Sequence, residues 1–129
     1  MSRVLALDHG TARCGVAVSD PTRTLATPLE PVLRPDTKKG FARVRAVIAE
    51  TAAAHVVVGL PLRLDGGDSE QTRAVRAFAD RLAASVDVPV ELYDERFTTV
   101  IAQRAGGSGS EDSRAAAHLL DEWLRQHPV

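Results

Sequence analysis

Residues 3–11, Arg-Val-Leu-Ala-Leu-Asp-His-Gly-Thr, place a carboxylate directly after an apolar run. The four apolar residues from Val4 to Leu7 are typical of a strand that is buried on both faces. Asp8 ends this strand, and Gly10 allows the chain to turn two residues later. A charged group at the end of a central strand is costly unless it is solvated, paired or bound to a metal ion. Asp8 is therefore the first candidate functional residue.

The segments that follow predict an antiparallel meander of three strands. Residues 15–19 are typical of a second strand, which the turn at Asp20 ends. Residues 24–33 predict a third strand, and Pro28 and Pro31 favour an edge position for it because proline cannot donate to a sheet ladder. Short connections between the three strands favour antiparallel pairing.

Helices and strands alternate through the rest of the chain. Apolar residues at helical spacing predict three helices, with Asp68 or Ser69 as the cap of the second. Continuous apolar runs predict two more strands, which should lie parallel to the first. The helical stripes lie in 41–52, 75–86 and 116–124, the strands at 56–59 and 88–93, and a short extra helix at about 98–104.

The order β-β-β-α-β-α-β-α predicts an α/β protein with the ribonuclease H-like fold, a five-stranded mixed sheet flanked by helices. The 129 residues are expected to form a single domain, 1–129, because the chain has no linker and no room for a second core. The only cysteine, Cys14, excludes an intrachain disulfide and fits a reducing, cytoplasmic compartment. No apolar run is long enough for a signal peptide or a membrane span.

The charge of the chain gives mixed information about a nucleic-acid partner. The net charge is −1, whereas nucleic-acid-binding domains are usually basic. Fourteen of the sixteen basic residues are arginine, however, and arginine offers phosphate a bidentate fork. A bias in codon composition explains the same preference, so the charge alone does not identify a partner.

Carboxylates at three element ends predict a metal site. Asp8 ends the first strand, Asp94 and Glu95 end the fifth, and Asp112 opens the last helix. In the predicted layout the ends of the first and fifth strands can be close neighbours, and Asp112 lies on the stripe of the helix that faces the core. Clustered carboxylates repel one another, and a divalent cation removes that penalty. Oxygen ligands favour Mg²⁺ or Mn²⁺.

Each of these acids also has an ordinary structural interpretation. Asp112 is in the position of a helix cap, and Glu95 is placed to pair with Arg96. Asp94 and Glu95 cannot both be ligands if the strand runs straight through them, because adjacent side chains point to opposite faces. Glu95 is preferred, since it would share its face with Tyr93 and oppose the apolar side chains of the same strand.

Four motifs of the chain resemble those of the YqgF/RuvX family. Residues 7–20, Leu-Asp-His-Gly-Thr-Ala-Arg-Cys-Gly-Val-Ala-Val-Ser-Asp, resemble the family's opening motif D-x-G-x-x-R-x-G-V-A-V-S-D. Residues 58–66 resemble the second motif, Tyr-Asp-Glu-Arg-Phe-Thr-Thr at 93–99 the third, and Asp112 followed by small residues the fourth. The segment 104–111 departs from the family because it is short, nearly uncharged and rich in glycine and serine, which predicts disorder without nucleic acid.

The resemblance implies a nuclease similar in fold to Holliday junction resolvases, and a candidate for maturing the 5′ end of the 16S ribosomal RNA precursor. It implies that Asp8, Glu95 and Asp112 form the acidic catalytic and metal-binding set, and that Arg13 and Arg96 lie near the substrate. RNA is the favoured partner, with branched DNA and ribosomal precursor particles as further expectations.

The hypothesis is hydrolysis of phosphodiester bonds with two Mg²⁺ or Mn²⁺ ions held by the three acids. Arg13, Arg63 and Arg96 are expected to hold flanking phosphates. A sugar-kinase or actin-type ATP site is a rival interpretation of the opening motif, but those enzymes need two such domains. A non-catalytic ribosome-assembly module and a junction resolvase remain open, and the sequence does not indicate an oligomeric state.

Overall fold

The computed structural model describes residues 2–94 and 111–128. Five strands form one mixed sheet with the order β3-β2-β1-β4-β5. The first three strands pair antiparallel, whereas β1 with β4 and β4 with β5 pair parallel. The strands are β1 (Arg3–Asp8), β2 (Arg13–Ser19), β3 (Ala26–Leu33), β4 (Ala53–Leu60) and β5 (Val90–Asp94). The helices are α1 (Lys38–Glu50), α2 (Glu70–Ser85) and α3 (Glu111–Gln126).

Two hydrophobic layers cover the two faces of the sheet. Leu5 and Leu7 of β1 point into the layer that contains α1 and α2. Val4 and Ala6 point into the layer formed with α3. All four side chains are fully buried, which confirms that β1 is a central strand. Alternation along β1 therefore fixes which layer each of its residues faces.

Side-chain caps begin the first two helices. Thr37 precedes α1 and accepts a hydrogen bond from Gly40 N–H at 3.1 Å. Ser69 precedes α2 and forms a reciprocal capping box with Thr72. Of the two caps considered for α2, Ser69 is the correct one. No described helix is long and apolar enough to span a membrane.

The structure confirms the predicted element order and moves several boundaries. β4 begins at Ala53 rather than at residue 56, because Ala52 adopts φ 54° and turns the chain directly from α1 into the sheet. β5 begins at Val90 rather than at 88. β3 lies at an edge, as its prolines favour. The short helix expected at 98–104 lies outside the described residues.

The ends of β1 and β5, which the sequence suggested can be close neighbours, are separated by one strand. β4 lies between them and pairs with β1 on one side and with β5 on the other. The parallel strands nevertheless end at the same edge of the sheet, which we call the carboxyl edge. Two strand spacings separate β1 from β5 there, or about 10 Å.

Candidate active site

Asp8 lies at the carboxyl edge and faces the α3 layer. It follows Leu7, which is buried against the α1 and α2 layer, and alternates with Val4 and Ala6, which face α3. Asp8 itself is partly buried at the end of β1. The structure therefore confirms that a carboxylate ends the central strand, and it identifies the face on which the carboxylate lies.

Gly59 separates Asp8 from β5 on this face. Val58 pairs with Leu7, so the next residue, Gly59, lies beside Asp8 in β4. On its other side Gly59 is in register with Tyr93 of β5, which packs in the α3 layer. Because Gly59 carries no side chain, nothing from β4 fills the space between Asp8 and β5 on this face.

Asp94 lies on the opposite face from Asp8. It is in register with Leu60, which is buried in the α1 and α2 layer, and it alternates with Tyr93. The orientation of Asp94 is consistent with the prediction that Glu95, rather than Asp94, is the ligand. Glu95 and Arg96 themselves lie outside the described residues.

Asp112 is in the first turn of α3, beside a residue that fixes this turn to the sheet. Ser113 is fully buried, and its Oγ accepts a hydrogen bond from Val16 N–H at 3.2 Å. Val16 pairs with Leu7, and the neighbouring Gly15 pairs with Asp8. The backbone of the first turn of α3 therefore lies over the strand next to Asp8. The side chain of Asp112 is not among those described.

Ser113 was not predicted as a site residue. The signal in the sequence was a small polar residue three positions before Ala116, on a helix stripe that is otherwise apolar. Its partner could not be identified from the sequence, because Val16 lies 97 positions earlier. Val16 also lies where the β2–β3 register shifts, and such a shift disturbs the regular ladder of hydrogen bonds.

His9 fixes the loop that follows Asp8. Its Nε2 lies 2.9 and 3.0 Å from the two carboxylate oxygens of Asp36, and its ring packs 4.7 Å from the ring of Phe78. The imidazole is nearly fully buried on the α2 side of the sheet. His9 was not predicted as a site residue. The structure shows that it anchors the backbone next to Asp8.

Arg13 and Arg63, two of the three predicted phosphate-binding arginines, are described by the structure and occupy different parts of the molecule. Arg13 is exposed at the start of β2, two residues before Gly15, so it shares the carboxyl edge and the α3 face with Asp8. Arg63 lies in the loop after β4, where its Nη2 donates to Asp65 Oδ2 at 2.8 Å. Both partners of this ion pair are largely exposed, so the pair is weak.

Three of the described residues, Asp20, Arg76 and Tyr93, have a pKa that departs from its ordinary value, and none is a proposed ligand of this site. The hydrogen bond to Asp68 raises the pKa of the Arg76 guanidinium. Burial raises the pKa of the Tyr93 phenol, with a contribution from the negative charges of Glu122 and Asp94. Hydrogen bonds from Thr22 and from backbone N–H groups lower the pKa of Asp20, which lies at the opposite edge of the sheet from Asp8. Tyr93 thus remains a neutral wall of the site.

The described side chains contain no group of three histidines, cysteines or acids arranged to hold a metal ion. Of the three predicted ligands, only the Asp8 side chain is described. A carboxylate at the end of a strand, beside the side-chain-free Gly59 of the next strand, is a suitable oxygen donor for a hard divalent cation. The donor chemistry that is present thus fits Mg²⁺ or Mn²⁺.

Comparisons with known proteins identify related sequences over nearly the whole chain. The family model described as RuvX, Holliday junction resolvase, matches residues 2–126. A relative in Koribacter versatilis is 47% identical over 102 residues, covering 79% of this chain and 67% of the relative. One in Myxococcus xanthus is 40% identical, covering 97% of this chain and 89% of the relative. Both relatives are named as candidate pre-16S rRNA nucleases.

The fold is also found in solved structures. Thermus thermophilus RuvC in complex with a Holliday junction substrate superposes with a TM-score of 0.58 and 17% identity, covering 98% of this chain and 97% of that one. This likeness confirms the ribonuclease H-like fold class. The family that the sequence motifs indicated is therefore confirmed, and the chain belongs to the RuvX (YqgF) family.

Proposed function

We propose that this protein is a divalent-metal-dependent nuclease that hydrolyses phosphodiester bonds in maturing the 5′ end of the 16S ribosomal RNA precursor. The observation that carries the proposal is the position of Asp8, at the carboxyl edge of the central strand and on the face covered by the start of α3. Family membership and the names of the relatives support the same activity. Processing of this precursor would place the protein in the cytoplasm.

In this proposal Asp8, Glu95 and Asp112 hold Mg²⁺ or Mn²⁺, as two ions. Glu95 follows Tyr93 by two positions, so an extended chain would bring it to the face of Asp8. Asp112 belongs to the turn that Ser113 ties to Val16. When bound, such ions lower the pKa of a bound water and neutralise charge on the departing oxygen.

The other residues of the site bind and position the substrate. Arg13 donates to a phosphate next to the scissile bond, which its place on the face of Asp8 supports. Arg63 and Arg96 bind further phosphates. The pair of His9 and Asp36 holds the loop after Asp8, so the carboxylate keeps its orientation during the reaction.

Cleavage of branched DNA is the second candidate function. The family description, Holliday junction resolvase, favours it. Resolution of a junction requires two sites that face two strands, and therefore a dimer. A single catalytic centre is sufficient for an RNA end, so the two functions make different demands on assembly.

One experiment compares both substrates. The full chain is incubated with a precursor 16S RNA fragment that carries its 5′ extension, and separately with a four-way DNA junction, in Mg²⁺, in Mn²⁺ and in EDTA. We expect metal-dependent cleavage of the RNA by the native protein and a loss of more than about 100-fold in the Asp8→Asn variant. Symmetric cutting of the junction would instead favour the resolvase. Absence of cleavage with both substrates, or full activity in the variant, would contradict a catalytic role for Asp8.

A further inference from the structure

A groove lies between the end of β3 and the first half of α1. Its volume is ≈650 Å³. Pro31 and Leu33 contribute an aliphatic floor, and Leu33 is 65% exposed. Arg34, Lys39 and Arg43 contribute cations to the walls. We call this feature the β3–α1 groove.

The segment that forms the β3–α1 groove is more positively charged than the chain as a whole. Residues 34–45 contain five basic residues, both lysines of the protein among them, and the single carboxylate of Asp36, whereas the whole chain has a net charge of −1. Asp36 is engaged by His9, and no ion pair of Arg34 or Lys39 occurs within residues 2–94 and 111–128. Among the described residues, Arg43 forms an ion pair with Glu50, and both side chains are largely exposed. The cations of the groove are thus available to an anionic partner.

Arg34, which lines the groove, has a backbone conformation that glycine adopts more readily than arginine. Its φ is 47°, in the left-handed region. Hydrogen bonds hold this turn on both sides, from Arg34 N–H to Ala12 O at 2.9 Å and from Thr37 N–H to Arg34 O at 3.1 Å. A strained non-glycine residue that the surroundings hold in place is a reason to look for a role of its side chain.

The same hydrogen bonds join the groove to the catalytic loop. Ala12 belongs to the loop that connects Asp8 to β2, and the next residue, Arg13, is in register with Leu33 of β3. β3 lies two strands from β1, which is a distance of about 10 Å. That separation corresponds to about three stacked nucleotides of a single strand.

We propose that the β3–α1 groove binds single-stranded nucleic acid a few nucleotides from the scissile bond, with phosphates on Arg34, Lys39 and Arg43 and a base or sugar over Pro31 and Leu33. The proposal deepens the proposed nuclease function and rests on it. The size of the groove suits one or two nucleotides of a single strand rather than a duplex. A second copy of this chain is a poor occupant for a two-fold contact, because it would bring the same cations to the interface.

The test measures binding without cleavage. Fluorescence anisotropy of the full chain in EDTA follows the binding of a labelled oligouridine of about 12 nucleotides, which is long enough to span the site of Asp8 and the groove. We expect Lys39→Ala and Arg34→Gly each to weaken binding of this strand about three- to tenfold. Each should also lower the slope of log affinity against log salt by about 0.7, the value for one lost phosphate contact on a single strand.

The matched control is Arg45→Ala. Arg45 is an exposed cation on the same helix that lies outside the groove, so its loss changes the net charge equally. Arg34→Gly relieves the left-handed strain, so a loss of binding there does not come from misfolding. Equal effects of Arg45→Ala and Lys39→Ala, or unchanged binding in both groove variants, would overturn the proposal. Tighter binding of a duplex of the same length would also overturn the proposal, because the groove is proposed to bind a single strand.

The outcome is independent of the chemistry at Asp8. If the groove variants weaken binding but the native protein cleaves nothing, the nuclease proposal fails and the groove remains a nucleic-acid site. If the native protein cleaves RNA and the groove variants bind and cleave the strand normally, the groove proposal fails alone. Oligodeoxythymidine of the same length, used in parallel, distinguishes RNA from DNA as the source of the strand.

Discussion

The Ser113 hydroxyl accepts a hydrogen bond from the backbone N–H of Val16 at 3.2 Å and so joins the first turn of α3 to the central part of the sheet. Val16 pairs with Leu7, the residue before Asp8. This one bond thus connects the backbone of two of the proposed ligand positions, Asp8 and Asp112, through a rigid strand. Together with the hydrophobic packing of α3 on the sheet, it fixes the first turn of α3 relative to Asp8.

We predict that Ser113→Ala lowers both stability and cleavage. The variant leaves a buried backbone N–H without this acceptor, which costs about 1–3 kcal/mol. Ser19→Ala is the matched control, because the buried Ser19 Oγ accepts from Val4 N–H at 2.9 Å at the opposite edge of the sheet. Denaturant unfolding should show similar losses for both, whereas single-turnover cleavage should fall only in Ser113→Ala. Equal cleavage rates in the two variants would show that Ser113 does not position the catalytic residues.

We predict that the two adjacent acids of the third motif behave differently. Asp94 faces the α1 and α2 layer, so Asp94→Asn should retain cleavage within about threefold of the native protein. Glu95→Gln should lose more than about 100-fold, since it would remove a metal ligand. Cleavage rates at saturating Mn²⁺ measure both. The opposite ranking would mean that the chain turns over between the two residues and that Asp94 is the ligand.

We predict that Gly40→Ala destabilises the protein, against the usual preference of helices for alanine. A Cβ at residue 40 would lie 1.9 Å from Arg34 O, a backbone atom that the turn holds in place. Overpacking of this kind costs about 1–3 kcal/mol, whereas helix propensity alone would favour alanine by about 1 kcal/mol. Ala42→Gly, at an exposed position of α1, provides the propensity effect for comparison. Thermal unfolding that shows Gly40→Ala to be stabilising would contradict the close approach of Arg34.

We predict that Asp20 stabilises the β2–β3 turn only while it is ionised. The Thr22 hydroxyl and the N–H groups of Leu25 and Thr24 lower the pKa of Asp20 below its ordinary value of 3.8. A carboxyl with a lowered pKa in the folded state contributes its stability above the ordinary value and loses it as the pH falls through the folded value. The difference in unfolding temperature between the native protein and Asp20→Ala should therefore be greatest near neutral pH and shrink below about pH 4.

Thr22→Ala tests the cause, because it removes the largest contribution to that shift. NMR titration of the Asp20 carboxyl should give a higher pKa in Thr22→Ala than in the native protein. Titration of native Asp20 in its ordinary range would show that these hydrogen bonds do not form in solution.

Local patterns in the sequence predicted the elements of this fold well. Val4 to Leu7 form a central strand, Ser69 caps α2, and the prolines of β3 lie at an edge because these features depend on neighbouring residues alone. The place of β4 between β1 and β5 was not predicted, since connection length does not determine which side of a strand the next strand joins. The start of β4 was missed because it depends on the left-handed turn at Ala52.

The site was predictable where it depends on alternation and not where it depends on distant partners. Alternation of side chains along β1 and β5 is sufficient to place Asp8 and Tyr93 on one face of the sheet and Asp94 on the other. The structure confirms this arrangement. The bonds of Ser113 to Val16 and of His9 to Asp36 join residues that are 97 and 27 positions apart. No local pattern indicates such pairs.

The most direct test of the proposed site is a crystal structure of the protein soaked in Mn²⁺, with anomalous diffraction to locate the metal. We expect an anomalous peak at the carboxyl edge on the α3 face, with an Asp8 oxygen among the ligands, and we expect this peak to be lost in crystals of Asp8→Asn. A peak bound by Asp94 on the opposite face, or a peak that persists unchanged in Asp8→Asn, would show that Asp8 is not a metal ligand.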